Sequence, residues 1–253
     1  MLSNNGKVIL ITGAASGIGA ATARHLAPQG YPLCLSDINI TLLHTLQASI
    51  KTITPDPWVQ CRRVDVSDPS DVREWIKFSE RFASTLGAKI HGLFNCAGIN
   101  PTPTPLENTT DSYFCKLVSV NLQGTFNCCR AALEYLEKGS VIVNVSSIMG
   151  LHPSSQNSVY CATKYAVVGF SKSLALELGP KGIRVNVVAP GFIDTPTNSG
   201  VKEGEKGIRA QVEKVAMGRM GTAEEVADVV GFLFGEGARY MSGSVVEVNG
   251  GTG

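Results

Sequence analysis

The segment Val8-Ile9-Leu10-Ile11-Thr12-Gly13-Ala14-Ala15-Ser16-Gly17-Ile18-Gly19 decides the fold. An apolar run free of charge ends in a loop with three glycines and leads into an alanine-rich stretch from Ala20. Strand, turn and helix follow in the order that a dinucleotide-binding unit requires. Glycine lets the backbone turn tightly and approach a pyrophosphate, while the N–H groups and dipole at the helix start attract its charge. A plain tight turn explains glycines alone, but not the strand before them and the helix after. The candidate phosphate contacts are Gly13, Ser16, Gly17, Ile18 and Gly19.

The same alternation continues along the chain. Short runs rich in Val, Ile and Leu recur at Pro32 to Ser36, Val59 to Asp65, His91 to Cys96, Val141 to Val145, Val185 to Ala189 and Val245 to Val248. Strands apolar on both faces belong to a parallel sheet covered by helices on each side. Between them, Ile40, Leu43, Leu46 and Ile50, then Val72, Ile76 and Phe82, follow helical spacing. Right-handed crossovers between parallel neighbours give an α/β architecture, a Rossmann-like doubly wound sheet of about seven strands. No linker or repeat divides the chain, so residues 1–253 form a single domain. The polar, weakly periodic stretch from Phe192 to Met217 reads as a lid over a substrate site, with a pair of helices as the alternative.

Composition narrows the function classes. The chain of 253 residues is 43% hydrophobic, with 22 Lys and Arg against 21 Asp and Glu, and neither sign forms a block. That excludes intrinsic disorder and leaves no basic footprint for nucleic acid or anionic lipid. Charged residues make up only 17%, against about 25% in ordinary domains, which points to an exterior partly covered by other subunits. The apolar run from Val8 to Ile11 is too brief for a signal core or a membrane span, so a soluble cytoplasmic protein is expected. Seven cysteines, at 34, 61, 96, 115, 128, 129 and 161, form no C-x-x-C pair. This argues against a disulfide framework or a metal site, and most read as small buried hydrophobes.

Asp37 closes the second strand, 18 residues after Gly19. A carboxylate there accepts hydrogen bonds from adenosine ribose hydroxyls and repels a 2′-phosphate. Ala15 in the loop, and Ser36 and Ile38 beside Asp37, supply no cation, so NAD is favoured over NADP. Asp37 could also cap a helix starting near Asn39, which is compatible with ribose binding. Farther on, Tyr160 and Lys164 stand four residues apart, on one helix face. An ammonium about 4 Å from a phenol, at an effective dielectric near 20, interacts by roughly 4 kcal/mol. That equals about three pKa units and would bring a tyrosine from near 10 toward neutrality, where it serves as a base.

Together these features resemble the short-chain dehydrogenase/reductase family from about Lys7 to Gly251. The motifs are the T-G-x-x-x-G-x-G loop from Thr12 to Gly19, the N-x-A-G segment Asn95-Cys96-Ala97-Gly98, and Asn121 in N-x-x-G. Ser147 lies 13 residues before Tyr160, and Ile183-Arg184-Val185-Asn186 leads to Pro190-Gly191 and Thr195. Met217 to Gly221, followed by Glu224-Glu225-Val226, is also typical. The resemblance implies a catalytic tetrad of Asn121, Ser147, Tyr160 and Lys164, with Asn121 fixing a water that links Lys164 to solvent. It implies that Ile38, Asp65 and Val66 flank the adenosine, that Asn95, Ala97 and Gly98 border the cofactor, and that Pro190, Gly191, Ile193 and Thr195 hold the nicotinamide side. Cys96 and Thr163 depart from the family's commoner Asn and Ser, and Cys96 is expected to stay clear of the chemistry.

Substrate walls come from loops. The candidates are Ser147, Met149, Leu151, His152, Asn157, Phe192 and Asn198, with Pro101 to Pro105 as a rim. Apolar Met149, Leu151 and Phe192 suggest a bulky, largely hydrophobic secondary alcohol or ketone, oxidised or reduced with NAD(H). Two other readings stay open: an NADPH-dependent ketoreductase, and a catalytically silent dinucleotide sensor that binds a protein partner. A homotetramer, paired through the helices after Asn108 and around Tyr160, is the expected assembly.

Overall fold

Alternation within each strand sorts the core into two layers. In β1 (Lys7–Thr12), Ile9 and Ile11 face one side of the sheet, while Val8 and Leu10 face the other. The computed structural model describes residues 4, 6–54, 58–100, 102–196 and 204–252. The strands that join β1 are β2 (Leu33–Asp37), β3 (Val59–Arg63), β4 (Lys89–Asn95), β5 (Val141–Val145), β6 (Arg184–Pro190) and β7 (Val245–Val248). They form one parallel sheet in the order β3-β2-β1-β4-β5-β6-β7. The order reverses between β1 and β4, and ligands of such sheets bind at the carboxyl ends of the strands near that switch.

Helices α1 (Gly17–Leu26), α2 (Ile40–Ile53) and α8 (Ala223–Phe234) bury Ala23, Leu26, Leu43, Leu46, Val226 and Val230 on the first face. Helices α3 (Pro69–Thr85), α5 (Gly124–Ala132) and α6 (Ser158–Leu178) bury Val72, Trp75, Cys128, Cys129, Leu174 and Leu178 on the second. Helix starts are set by local chemistry. Asp68 caps α3 by accepting from the N–H of Ser70, ahead of Pro69 at the first turn. Thr222 and Glu225 form a capping box at α8. Helix α4 (Asp111–Leu117) passes through a π-helical stretch (Val118–Gln123) into α5.

Strand ends differ from the sequence reading by one or two residues, and three differences bear on the site. Strand β3 stops at Arg63, because the N–H of Asp65 turns to the Asp71 carboxylate. The cap of α2 is Asn39, which accepts from Leu42 N–H, and not Asp37. The stretch expected as a lid contains a helix, α7 (Gly204–Val212), and Ile193 bridges to Gly221. Pro101 and Asn198 lie outside the described residues. Among the described residues no helix is long and apolar enough to cross a membrane.

Candidate active site

The glycine loop rests directly on the end of β4. Gly13 has φ +63°, and a Cβ there would stand 2.7 Å from Ala97 Cα. A Cβ at Gly19 would strike the Gly13 carbonyl oxygen, so helix α1 could not start so close beneath the loop. Thr12 Oγ1 accepts from both Cys96 N–H and Ala97 N–H, each at 3.1 Å, and ties β1 to the β4 exit. Ser16 precedes α1 without a side-chain cap bond, which suits a helix start that receives an anion.

Asp37 leaves β2 toward this loop. Its two carboxylate oxygens accept from Ala15 N–H and Asn39 N–H, each at 3.0 Å. Asp37, Ile38, Asp65 and Val66 line one end of a cavity of about 540 Å³. The strand register also brings a cation that neighbours along the chain do not reveal, because Arg63 is the register partner of Asp37. Val59 and Cys61 pack on the same layer as Leu33 and Leu35, so by alternation Arg63 and Asp37 share a face. Arg62 faces the other way, ion-paired to Glu74 of α3 at 2.7 Å.

At the opposite end, Ser147 opens a short 3₁₀ turn (Ile148–Gly150), and its Oγ accepts from Met149 N–H at 3.1 Å. Ser147 is hydrogen-bonded to Tyr160, which α6 carries with Lys164 one turn on. Both helix residues are buried, and Lys164 Nζ donates to Val145 O at 3.2 Å. The charge pattern differs from the expectation of a lowered phenol. Burial pushes Tyr160 up to about 12, with the Ser147 hydrogen bond opposing it. Burial likewise pushes Lys164 down to about 8, partly offset by Cys96. The ammonium lies 5.7 Å from the ring centroid and serves the Val145 carbonyl, so desolvation outweighs its pull on the phenol.

Of the remaining expected site residues, Gly13, Ser16, Ile18, Ala97, Gly98, Ser147, Met149, Asn157, Tyr160, Lys164, Pro190, Gly191, Phe192, Ile193 and Thr195 line the same cavity. Gly17 and Gly19 shape the loop beneath it. Leu151 and His152 are not in the lining: the Leu151 carbonyl is held by the Tyr165 hydroxyl, and His152 is exposed beyond the turn. Asn95 points into the protein, donating to Asn144 Oδ1 at 2.8 Å, and Asn144 donates in turn to Ser171. It braces β4, β5 and α6 and does not line the cleft. The Asn121 side chain is engaged with Ile99, accepting from its N–H at 2.8 Å and donating to its carbonyl at 3.0 Å. The amide therefore fixes the loop after Gly98. A Cβ at Gly98 would come within 3.3 Å of Asn121 Oδ1 and 3.6 Å of Lys164 Nζ, so glycine lets the three pack together. Cys96, expected to stay clear of the chemistry, lines the cleft as a thiol that burial pushes up to about 12.

Sequence reasoning missed Ile99, Asn100, Lys116, Val120 and Ile148, which also line the cavity. Lys116 and Val120 are four apart and lead into Asn121, a spacing that could have flagged them. Among the described residues no group of three His, Cys, Asp or Glu is placed to hold a metal.

Residues 13–253 match the family model described as enoyl-(acyl carrier protein) reductase. The chain is 37% identical to levodione reductase of Leifsonia aquatica over 97% of this chain and 93% of that one. The chain belongs to the short-chain dehydrogenase/reductase family. It is also 36% identical to cyclohexanol dehydrogenase of an Acinetobacter species, over 97% of this chain and 94% of that one. A solved short-chain dehydrogenase of Burkholderia cenocepacia in complex with NADP superposes with TM-score 0.89 at 31% identity, covering 98% of each chain. The seven-stranded parallel sheet is that of other short-chain dehydrogenase/reductase structures.

Proposed function

We propose that this short-chain dehydrogenase/reductase interconverts a secondary alcohol and a ketone on a bulky, largely apolar small molecule, using NAD(H). The observation that carries this reading is the placement of Ser147, Tyr160 and Lys164 in the same cavity as Asp37 and the glycine loop. The cofactor fits the residues present: a loop that side chains would fill, an uncapped helix start, and a carboxylate at the ribose position. Gly13 to Gly19 would hold the pyrophosphate, Asp37 the adenosine ribose, and Lys164 the second ribose. The bound nicotinamide supplies hydride transfer to or from the carbinol carbon.

Ser147 Oγ holds the substrate oxygen and Tyr160 Oη exchanges its proton. With the phenol held protonated at neutral pH, Tyr160 is ready to donate, which favours ketone reduction there and alcohol oxidation in more alkaline buffer. Asn121 acts as a positioning residue, keeping Ile99 and Gly98 against Lys164. The names of the levodione and cyclohexanol relatives support a six-membered cyclic alcohol or ketone. A homotetramer fits the exposure of Phe114, Phe126 and Tyr165 on α4 to α6.

A second reading, NADPH-dependent ketoreduction, is favoured by Arg63 beside Asp37 and by the NADP complex of the Burkholderia relative. Initial rates on a panel of cyclic alcohols and ketones with each cofactor decide between them. A higher kcat/KM with NAD(H) supports the first reading, and a higher value with NADP(H) the second. No turnover of any member with either cofactor overturns both and leaves a silent dinucleotide binder.

A further inference from the structure

Alternation along β5 decides which of its side chains reach α6. Ile142 packs in the layer that holds Leu174 and Leu178, so Asn144 and Ser146 face the same helix, while Val145 packs on the opposite layer. Asn144 Nδ2 donates to Ser171 Oγ at 2.8 Å. Ser146 Oγ donates to the Lys164 carbonyl, also at 2.8 Å. Lys164 Nζ donates to the Val145 carbonyl, and Ser147 is bonded to Tyr160. Four consecutive residues thus each hold one point on α6. We infer that Ser146 is a positioning residue: its hydroxyl seats α6 on the end of β5 and so aligns Tyr160 and Lys164 with Ser147. The inference rests on the proposed reaction for the roles of those three residues.

Of these four contacts, the Ser146 bond is the one that grips the backbone of α6; the others end on side chains, which can rotate as the helix drifts. The Lys164 carbonyl has two lone pairs, so it accepts this hydroxyl beside its helical partner. Ser146 is itself anchored, because its N–H donates to the Val188 carbonyl of β6 at 2.9 Å. It borders the cavity, but its hydroxyl is buried and committed to the helix. The joint is tight: a Cβ at Gly150 would strike Ser146 Oγ and come within 2.9 Å of the Lys164 carbonyl, so glycine lets the 3₁₀ turn fold over it. A misplacement of about 1 Å can cost 10²-fold in rate. With three other contacts left in place, losing the Ser146 hydroxyl should cost about tenfold in kcat. Substrate KM should stay within about twofold, since the bond is made to the helix and not to the substrate.

The test measures Ser146→Ala in two ways. The first is kcat on the best member of the cyclic alcohol and ketone panel, counted per cofactor-binding site by fluorescence titration so that unfolded protein does not enter. The second is the pH midpoint of Lys164 acetylation by acetic anhydride in cofactor-free protein, read by peptide mass spectrometry with the exposed Lys172 of the same helix as control. Burial holds Lys164 near 8, and the titratable groups beside it, Cys96 and Tyr160, stay protonated through that range, so the midpoint reports how the lysine is seated. In Ser146→Ala kcat should fall about tenfold, and the Lys164 midpoint should rise toward the ordinary 10.5 while Lys172 labelling is unchanged. Gly150→Ala forces the same joint open and should reproduce both changes; it carries the test if Ser146→Ala does not fold. A kcat within twofold of wild type overturns the inference, as does a fall in kcat with Lys164 unmoved, since the hydroxyl would then act elsewhere. If no panel member turns over in the wild type, the reaction reading fails, and Lys164 labelling alone decides whether Ser146 seats the helix.

Discussion

Replacing Lys164 by methionine should make the protein more stable at neutral pH while removing its activity. The buried ammonium titrates near 8 instead of the ordinary 10.5, with desolvation as the main cause. A difference of about 2.5 pH units corresponds to roughly 3 kcal/mol at 1.36 kcal/mol per unit. The variant also loses the hydrogen bond to the Val145 carbonyl, worth about 1 kcal/mol. A net gain of about 2 kcal/mol raises the melting temperature of a chain this size by roughly 4–8 °C. Between pH 8 and 10.5 the unfolded chain holds the lysine proton and the folded one does not, so wild-type stability climbs through that window. The gain of Lys164→Met should therefore be fully present below pH 8 and shrink as pH rises toward 10.5. Thermal unfolding of cofactor-free protein at pH 7 and pH 9.5, followed by circular dichroism, measures both. A variant less stable than wild type at pH 7, or a gain that does not shrink with pH, would refute burial as the cause of the shift.

Tyr160→Phe should lower turnover by roughly 10² to 10⁴ while cofactor affinity, read by fluorescence titration, stays within a few-fold; activity within tenfold of wild type removes the proton role. Ser147→Ala should fall between, with lower kcat and little change in cofactor binding. Asp37→Ala combined with Ile38→Arg should shift the ratio of specificity constants toward NADP, and an unchanged ratio means Asp37 does not face the ribose. Light scattering at micromolar concentration should give a tetramer; a monomer would rule out pairing through α4 to α6.

Most strands were legible because they are apolar on both faces, and their ends moved by one or two residues; β3 ends early where a side-chain carboxylate captures the backbone of Asp65. The glycine loop and the Tyr160–Lys164 pair were also legible, since each is a local pattern in which spacing alone sets geometry. Arg63 was not, because strand register places it beside Asp37 across a gap in sequence. Asn95 was misplaced because a strand-end residue faces either the cleft or the core, and the Asn144 and Ser171 partners that draw it inward lie on β5 and α6. The direction of the Tyr160 shift was beyond pairwise reasoning, since it depends on how much of the fold closes over the phenol.

Thr12 joins the two halves of the cleft through a single oxygen that receives two amide protons. It lies where the strand order reverses, so this hydroxyl fixes the spacing between the nucleotide half and the catalytic half. Valine would keep the shape but leave two amides without an acceptor, whereas serine would keep the joint. Loops on either side are then free to diverge without altering the alignment at that seam. A change of substrate or cofactor preference can accumulate in one half while the other stays in register, provided that one hydroxyl is retained.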